Sequence, residues 1–361
     1  MRKSLLLLVA FLTVTLQVAA KEYTRYVDPR IGSEGLGRTF PGPCMPYGMA
    51  KPGPDAVSMP NAGWAPMPES VKGFSQMHVS GTGGGQKYGN ILIQPFLDAG
   101  EIILKRVEEK IALGYYACTF ENGIRTEITA SERCAFYRLV YGRKQKGKLL
   151  IDVATFLGID TIPDKRETQQ YVDSYVTCDG KYAVSGWSTV RGGWNNGGPY
   201  TVYFYLQSDV PLSNFDVPLS NSEVPLYNKV KESKTRLDVA FSESTVNLKI
   251  GISHISIAQA RRNIPSCGFD IQLKNLRKTW NGKLGKIEIA GTEKQKRMFY
   301  TALYHTMLMP VDKSGENPHF SATPYYDDYY AIWDTYRTSM PLLTLIEEPQ
   351  QRDMVNSLLN I

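Results

Sequence analysis

A β-hairpin is encoded by residues 115–130, which read YYACTFENGIRTEITA. From Tyr116 to Phe120 every second side chain is Tyr, Cys or Phe, and this period of two is typical of a strand with one buried face. Asn122-Gly123 is a dipeptide preferred by two-residue type I′ turns, and the alternation resumes from Ile124 to Ile128. The segment therefore predicts two antiparallel strands joined by a tight turn.

The same arrangement recurs where Asp179-Gly180 separates two runs of residues, Tyr171–Cys178 and Tyr182–Thr189. Further strands are expected at Ile91–Phe96, Ile102–Val107, Phe136–Tyr141, Leu149–Thr155, Thr201–Leu206, Val246–Ile250 and Ser253–Ala258. Because no helical period separates these strands, the pattern favours an antiparallel β-sandwich over a doubly wound α/β fold.

The pattern changes near Cys267, where helical periods replace strands. Apolar residues recur at i, i+4, i+7 and i+11 from Phe269 to Trp280, which places them on one stripe of a helix. A short strand is expected at Lys286–Ala290. Thr292, with Gln295 three residues later, forms a capping box for a helix that runs to about Leu308.

Two more helices are expected nearer the end of the chain, one starting near Trp333 and one following Pro349. The apolar stripe of the last helix still continues at Ile361. This stripe favours an unfinished helical domain, and a frayed terminal helix is the alternative that the pattern leaves open.

The first twenty residues have the features of a secretory signal peptide. Arg2-Lys3 precede an apolar run from Leu5 to Leu16, and Val18-Ala19-Ala20 form a small-residue cleavage site before Lys21. The run is too short for a stable transmembrane span, so we expect a periplasmic or secreted protein with no stable membrane anchor after cleavage. An uncleaved N-terminal anchor is the alternative.

Composition and charge narrow the class of protein. The chain has 361 residues, 42% of them hydrophobic, and a formal net charge of +6. The length corresponds to about two domains. The positive charge is spread along the chain rather than gathered in a basic stripe, so no nucleic-acid partner is expected. Five cysteines without CxxC spacing indicate buried thiols with at most one or two disulfides, and four scattered histidines exclude a helical HExxH zinc site.

Two glycine-rich segments are the first candidates for a binding site, namely residues 32–42 (GSEGLGRTFPG) and residues 80–85 (SGTGGG). Neither fits GxGxxG or the P-loop pattern, so a phosphate cradle is not expected. Glycine either lets the backbone approach a ligand closely or permits a tight turn, and the spacing leaves both explanations open.

Trp333-Asp334, with Arg337 close by, is the second candidate. An aromatic ring that packs on the C–H face of a sugar, beside charged groups that bind its hydroxyls, is a common arrangement of sugar sites. The same residues also fit a helix N-terminus, with Asp334 near the positive end of the helix dipole and Trp333 in the core.

Taken in order, the motifs resemble glycoside hydrolase family 92, the exported calcium-dependent α-mannosidases. The matching stretches are Tyr26–Gly32 (YVDPRIG), Thr39–Gly42 (TFPG), Pro46–Met49 (PYGM), Gly73–Gly83 (GFSQMHVSGTG), Tyr88–Ile91 (YGNI), Gly114–Tyr116, Glu127–Ser131, Trp333–Thr338 (WDTYRT) and Pro341–Leu345 (PLLTL). One departure is Arg38, where the family often has His before Thr-Phe-Pro-Gly, so no histidine role is assigned to that position.

The resemblance implies an N-terminal β-sandwich domain packed on a C-terminal (α/α)6 barrel, with the active site between them. On this basis the chain divides into four parts: a signal peptide (1–20), the β-sandwich domain (21–265), a linker helix and strand (266–291), and the start of an incomplete α-helical (α/α)6-barrel-type catalytic domain (292–361).

The resemblance also implies hydrolysis of terminal α-linked mannose from mannose-containing glycans, such as N-glycans or mannans, with inversion. Inversion needs a general acid and a general base far enough apart to admit a water. A calcium ion, a hard cation with oxygen ligands, would hold the mannose hydroxyls. In the family these carboxylates and the main calcium ligands lie later in the barrel. We therefore expect them beyond residue 361 and expect this chain alone to be inactive.

Within this chain, the resemblance implies a group of residues that bind the sugar. Trp333 and Asp334 are the first candidates, and Arg337 would orient Asp334 or contact substrate. Trp64 would stack on a sugar from the sandwich side, and His78 would shape the domain junction or contact substrate.

Three interpretations follow from these patterns. The first is an exported α-mannosidase represented by part of its chain, and the second is a non-catalytic carbohydrate-binding remnant of such an enzyme. The third is a secreted β-sandwich with a helical appendage that serves in assembly.

Overall fold

The computed structural model of the chain describes residues 21–35, 37–81, 85–97, 102–142, 146–158, 168–193, 196–214, 235–319 and 323–360. The signal peptide expected at residues 1–20 lies outside the described residues. Among the described residues, no helix combines the length and the apolar character that crossing a membrane requires.

Most of the described chain up to residue 253 is β-structure. The strands, in chain order, are β1 (Gly53–Ala56), β2 (Val71–Ser75), β3 (Leu92–Phe96), β4 (Arg106–Ala112), β5 (Tyr115–Phe120), β6 (Arg125–Ala130), β7 (Cys134–Val140), β8 (Lys148–Asp152), β9 (Gln169–Cys178), β10 (Ala183–Gly192), β11 (Tyr200–Ser208), β12 (Leu212–Asn214), β13 (Arg236–Phe241), β14 (Thr245–Ser253), β15 (Val311–Asp312) and β16 (Tyr326–Asp327).

Fourteen of these strands form two large antiparallel sheets. One has the order β1-β2-β3-β8-β13-β12, and the other has the order β4-β5-β6-β7-β14-β11-β10-β9. Both predicted hairpins are confirmed. Tyr116 lies opposite Ile128 in the β5–β6 pair, and Val184 lies opposite Cys178 in the β9–β10 pair.

The two sheets pack face to face over one apolar core. Phe74 on β2 lies in the first sheet, and its ring centroid is 6.1–6.3 Å from those of Tyr116, Phe120 and Tyr137 in the second sheet. All four side chains are buried, and burial of an apolar side chain of this size stabilises the fold by about 1.5–3 kcal/mol. The expected β-sandwich is therefore what the described residues form.

Helices dominate after residue 256. They are α1 (Ile257–Arg262), α2 (Phe269–Leu284), α3 (Glu293–His305), α4 (Ile332–Thr335), α5 (Ser339–Ile346) and α6 (Glu348–Asn360). The predicted stripe of α2 is confirmed, since Phe269, Leu276 and Trp280 are buried. The capping box of α3 is also confirmed, because the Thr292 side chain accepts from the Gln295 N–H and the Gln295 side chain returns to the Thr292 N–H.

Four local predictions are wrong. Ile102–Val107 is not one strand, because β4 begins at Arg106 and Leu104 forms only an isolated bridge to Val71. Ser253–Ala258 is not a strand, because Ser256 caps the N-terminus of α1 by accepting from the Gln259 N–H. Lys286–Ala290, the strand expected in the linker of residues 266–291, joins no sheet in the described part of the chain. The helix expected to reach Leu308 ends at His305.

The helical part has its own apolar cluster, which also holds the start of the sandwich domain. The rings of Trp280 on α2 and Tyr304 on α3 are 4.6 Å apart, and Trp280 Nε1 donates to the Cys44 carbonyl at 2.8 Å. All five cysteines carry free thiols, and three of them, including Cys44, are buried. The sandwich and the helices thus share a continuous packed boundary.

Candidate functional site

The described part of the first glycine-rich segment lies beside Ser80 and Gly81 of the second, at the boundary between the sandwich and the helices. The Gly81 N–H donates to the Arg38 carbonyl at 2.7 Å, and the Phe40 N–H donates to the Ser80 hydroxyl at 3.0 Å. A β-carbon at Gly37 would lie 2.1 Å from the Gly32 carbonyl oxygen, so this turn has room only for glycine. We call the described residues 32–35, 37–42 and 80–81 the glycine loops.

Residues from the helical part pack directly on the glycine loops. The Ser80 N–H points to Met309 Sδ at 3.3 Å, and a β-carbon at Gly81 would lie 3.2 Å from the Tyr330 ring. Tyr330 is held in turn by its hydroxyl, which donates to the His305 carbonyl at 2.9 Å. The expected junction between the two parts of the chain therefore runs past the glycine loops.

Trp333 and Asp334 follow this junction on α4. The Trp333 side chain is 79% exposed, so the alternative that placed it in the core is wrong. Asp334 and Arg337 are also exposed. Arg337 donates to the Tyr336 hydroxyl at 2.6 Å and makes no ion pair with Asp334, although the structure describes both residues. The three side chains thus present one aromatic ring, one carboxylate and one guanidinium to solvent on a short stretch of chain.

Trp64 has the opposite environment. It is 3% exposed and belongs to the sandwich core, where its Nε1 donates to Glu109 at 3.1 Å. Glu109 also accepts from the Tyr116 hydroxyl at 2.7 Å and pairs with Arg106. In this position the indole has no face open to a ligand, so the geometry gives no support to stacking of Trp64 on a sugar.

His78 is buried beneath the glycine loops. Its ring stacks on Phe40 at 5.1 Å, its Nδ1 lies 2.7 Å from the Lys51 carbonyl, and its Nε2 lies 2.8 Å from Asp55. Because a carbonyl only accepts, Nδ1 donates to the Lys51 carbonyl, and Nε2 faces both Asp55 and the Ser75 hydroxyl. This arrangement fits the expected role of His78 in shaping the junction, since it supports the loop that contains Phe40.

A buried ionic cluster at the same boundary was not found from the sequence. Lys313 Nζ lies 3.0 Å from the Tyr88 hydroxyl, 3.0 Å from Asp327 and 3.0 Å from Asp328. The Tyr88 hydroxyl donates to both carboxylate oxygens of Asp328 at 2.7 Å. Lys313, Tyr88 and Asp328 are buried. We call this group the Lys313 cluster.

Electrostatic interactions within the Lys313 cluster keep Lys313 and Asp327 ionised. Burial alone would lower the pKa of Lys313, but the carboxylates of Asp328 and Asp327 outweigh it and hold that pKa well above its usual range. For Asp327, burial acts to raise the pKa, and the facing ammonium of Lys313 outweighs it and lowers the pKa. The lysine is therefore charged at neutral pH, and Asp327 faces it as a carboxylate.

A second set of buried contacts centres on Glu316. Its carboxylate accepts from the Ser253 hydroxyl at 2.5 Å, from the His254 N–H at 2.9 Å and from the Asn263 side chain at 2.8 Å. The loop between β15 and β16 is thus tied to the end of β14 as well as to Tyr88. The segment Tyr325–Tyr330 is a run of Tyr and Asp in the sequence, but the partners of these residues lie too far away in the chain to be recognised from it.

The residues described do not fit the calcium site that the family resemblance implies. Within the described ranges, no group of three or more His, Cys, Asp or Glu side chains is arranged to hold a metal ion. No step of a reaction is therefore assigned to a metal held by these residues. Residues 333–337, which follow this boundary in sequence, present one exposed aromatic ring and two exposed charged side chains.

Two family models match the chain. The glycosyl hydrolase family 92 N-terminal domain matches residues 26–253, and the glycosyl hydrolase family 92 catalytic domain matches residues 257–361. A curated relative, an uncharacterized secreted glycosidase of Arthroderma benhamiae, is 28% identical in a 346-residue alignment that covers 87% of this chain and 45% of that protein.

Solved structures show the same fold. A family GH92 α-mannosidase from Bacteroides thetaiotaomicron is 24% identical with a TM-score of 0.77, over 93% of this chain and 49% of that one. The same enzyme has been solved in complex with mannoimidazole. A family GH92 inverting mannosidase from the same species is 23% identical with a TM-score of 0.69, over 94% of this chain and 48% of that one. The chain spans about half the length of these relatives.

Proposed function

This chain belongs to glycosyl hydrolase family 92, and we propose that it supplies the mannose-binding part of an exo-acting α-mannosidase. The observation that carries this proposal is the joint exposure of Trp333, Asp334 and Arg337 on residues 333–337, a short stretch that follows Tyr330, whose ring packs on Gly81. Mannosidases of the same fold, one of them solved in complex with mannoimidazole, support mannose-containing glycans, such as N-glycans or mannans, as the ligand.

The chemistry of these three side chains suits a terminal sugar. The indole of Trp333 provides a flat apolar surface for the C–H face of the pyranose ring. Asp334 accepts hydrogen bonds from sugar hydroxyls, and bonds to an ionised acceptor are stronger than neutral ones. Arg337 provides donors for the sugar oxygens.

The finer parts of the mechanism belong to the same proposal. The helices from residue 292 would begin an (α/α)6-type catalytic domain after the sandwich of residues 21–265 and the linker of residues 266–291. The general acid, the general base and the main calcium ligands would lie in sequence corresponding to the later half of the relatives, and hydrolysis would be inverting and calcium-assisted. The description of the curated relative as secreted supports a periplasmic or secreted location.

The first test is a titration of methyl α-mannoside into the purified chain, followed by tryptophan fluorescence and calorimetry. We expect saturable binding that Trp333→Ala and Asp334→Asn each weaken by about ten-fold or more. Tyr182→Ala is the matched control, because it removes an exposed aromatic from the turn between β9 and β10. The absence of binding in the unsubstituted chain, or equal loss in the Tyr182 variant, would overturn the assignment.

The second test is activity. Because no catalytic carboxylate is assigned within the chain, we expect no release of the aryl group from an aryl α-mannoside, with or without added calcium. Turnover by the purified chain, abolished by a chelator and restored by calcium, would show that the carboxylates and the metal ligands lie within residues 21–361. Sugar binding without turnover is also what the alternative, a non-catalytic mannoside-binding remnant, predicts. A longer polypeptide from the same gene that cleaves the substrate would decide for the enzyme.

A further inference from the structure

We propose that the Lys313 cluster is a positioning device that fixes the segment leading to Trp333 and Asp334 against the sandwich. The proposal rests on the proposed function in one respect, namely that these two residues bind sugar. We call residues 325–330, which precede α4, the tyrosine strap.

The tyrosine strap is held by the helices on one side. The Tyr326 N–H donates to the Ser357 hydroxyl of α6 at 2.7 Å, and the Tyr329 hydroxyl donates to the Met354 carbonyl at 2.8 Å. Tyr330 is tied to the end of α3 through the His305 carbonyl. These contacts place the strap on the helical part of the molecule.

The Lys313 cluster supplies the connection from the strap to the sandwich. Asp328 lies in the strap, and both of its carboxylate oxygens accept from the Tyr88 hydroxyl, which belongs to the sandwich part of the chain. Tyr88 itself is anchored through its backbone, because its N–H and its carbonyl contact the Gln169 side chain at 3.2 and 3.1 Å. Lys313 completes the cluster by pairing with Asp328 and with the Tyr88 hydroxyl.

Backbone conformation on both sides of this contact is unusual. Tyr88 has φ of 58° and Asp328 has φ of 57°, which is the left-handed region that costs a side chain other than glycine free energy. Two such residues facing each other through a buried hydrogen bond indicate that the surrounding structure holds the contact tightly. A loop without a positioning role would not require two residues in this costly backbone conformation.

The position of the cluster in the sequence gives it its role. Asp328 precedes Tyr330 by two residues and Trp333 by five, so a fixed Asp328 limits where α4 begins. Trp333 and Asp334 are exposed and have few contacts of their own to hold them, which makes the strap the natural determinant of their position. Small displacements of a binding group cost much of its contribution to binding.

The test compares native-state hydrogen exchange and mannoside affinity in the full chain and in variants. Asp328→Asn removes the charge and retains a residue that tolerates the left-handed conformation, and Tyr88→Phe removes only the hydroxyl. Lys313→Met removes the ammonium. Lys283→Met is the matched control, because Lys283 forms a half-buried pair with Glu347 at 2.5 Å inside the helical part.

We expect amides of residues 325–337 to exchange about ten-fold faster in Asp328→Asn and Lys313→Met, while β7 and β14 keep their protection. Mannoside affinity should fall about ten-fold in the same variants and remain unchanged in Lys283→Met. Tyr88→Phe should give a smaller change in the same direction. If Lys313→Met does not fold, Asp328→Asn and Tyr88→Phe decide the question.

Two results would overturn the positioning role. One is unchanged exchange of residues 325–337 in Asp328→Asn and Tyr88→Phe, and the other is equal acceleration in Lys283→Met, which would indicate general loosening. If the unsubstituted chain binds no mannoside, the proposed function fails. The exchange measurement still decides whether the Lys313 cluster fixes the strap.

Discussion

Two tryptophans with the same proposed role occupy opposite environments. Trp333 is 79% exposed at the start of α4, whereas Trp64 is 3% exposed and donates to Glu109 inside the sandwich. A sequence motif identifies a residue type that suits sugar binding, but burial depends on contacts with residues far away in the chain. Glu109 lies 45 residues from Trp64, and the local sequence around either residue does not predict their contact.

The difference gives a double test at the level of single residues. Trp64→Phe removes a buried hydrogen bond and part of a packed ring, so the free energy of unfolding should fall by about 1–3 kcal/mol. Mannoside affinity should remain unchanged. Trp333→Phe should change the free energy of unfolding by less than about 0.5 kcal/mol, because the residue is at the surface. It should lower the affinity for the mannoside. Chemical denaturation and calorimetry on both variants check the pair. Weaker sugar binding by a fully folded Trp64→Phe variant would show that Trp64 contributes to the sugar site.

Local signals account for which elements were predictable. The hairpins β5–β6 and β9–β10 follow from turn dipeptides and alternation within about 20 residues of chain. The pairing of β3 with β8, in which Ile93 lies opposite Ile151, joins segments far apart in sequence and leaves no local trace. Alternation wrongly predicted a strand at Ser253–Ala258. The isoleucines at 255 and 257 flank Ser256, whose side chain caps α1.

The capping box of α3 allows the local reasoning to be tested. Thr292→Ala removes the acceptor for the Gln295 N–H at 3.3 Å, and loss of an N-cap side chain typically costs about 1 kcal/mol. The melting temperature should fall accordingly, whereas Thr292→Ser, which keeps the hydroxyl, should remain close to the unsubstituted chain. A melting temperature unaffected by Thr292→Ala would mean that packing against Tyr23 and Tyr26, whose ring centroids each lie 5.4 Å from that of Tyr300, is sufficient to set the start of α3.

At the scale of the whole molecule, the two parts differ in how completely their apolar residues are covered. The sandwich buries a continuous core between its sheets, as alternation along its strands predicts. The last helices do not: Leu345 on α5 is 84% exposed and Leu359 on α6 is 78% exposed, with Val355 and Leu358 also exposed. The stripe predicted for the last helix includes Met354, which is buried, and Leu358, which is exposed, whereas Leu345 and Leu359 lie outside it. Which side chains remain uncovered could be determined only from the packing of α5 on α6.

These exposed side chains predict self-association of the 361-residue chain. Exposed apolar surface promotes association when it is contiguous, so sedimentation velocity should show species larger than a monomer that grow with protein concentration. Leu345→Lys combined with Leu359→Lys should shift the distribution towards monomer, because two charges would then have to be desolvated at the contact. Val172→Lys, which alters an exposed apolar residue on β9, is the matched control and should leave association unchanged. A monomeric unsubstituted chain at high concentration would show instead that the exposed residues of α5 and α6 do not act as one surface.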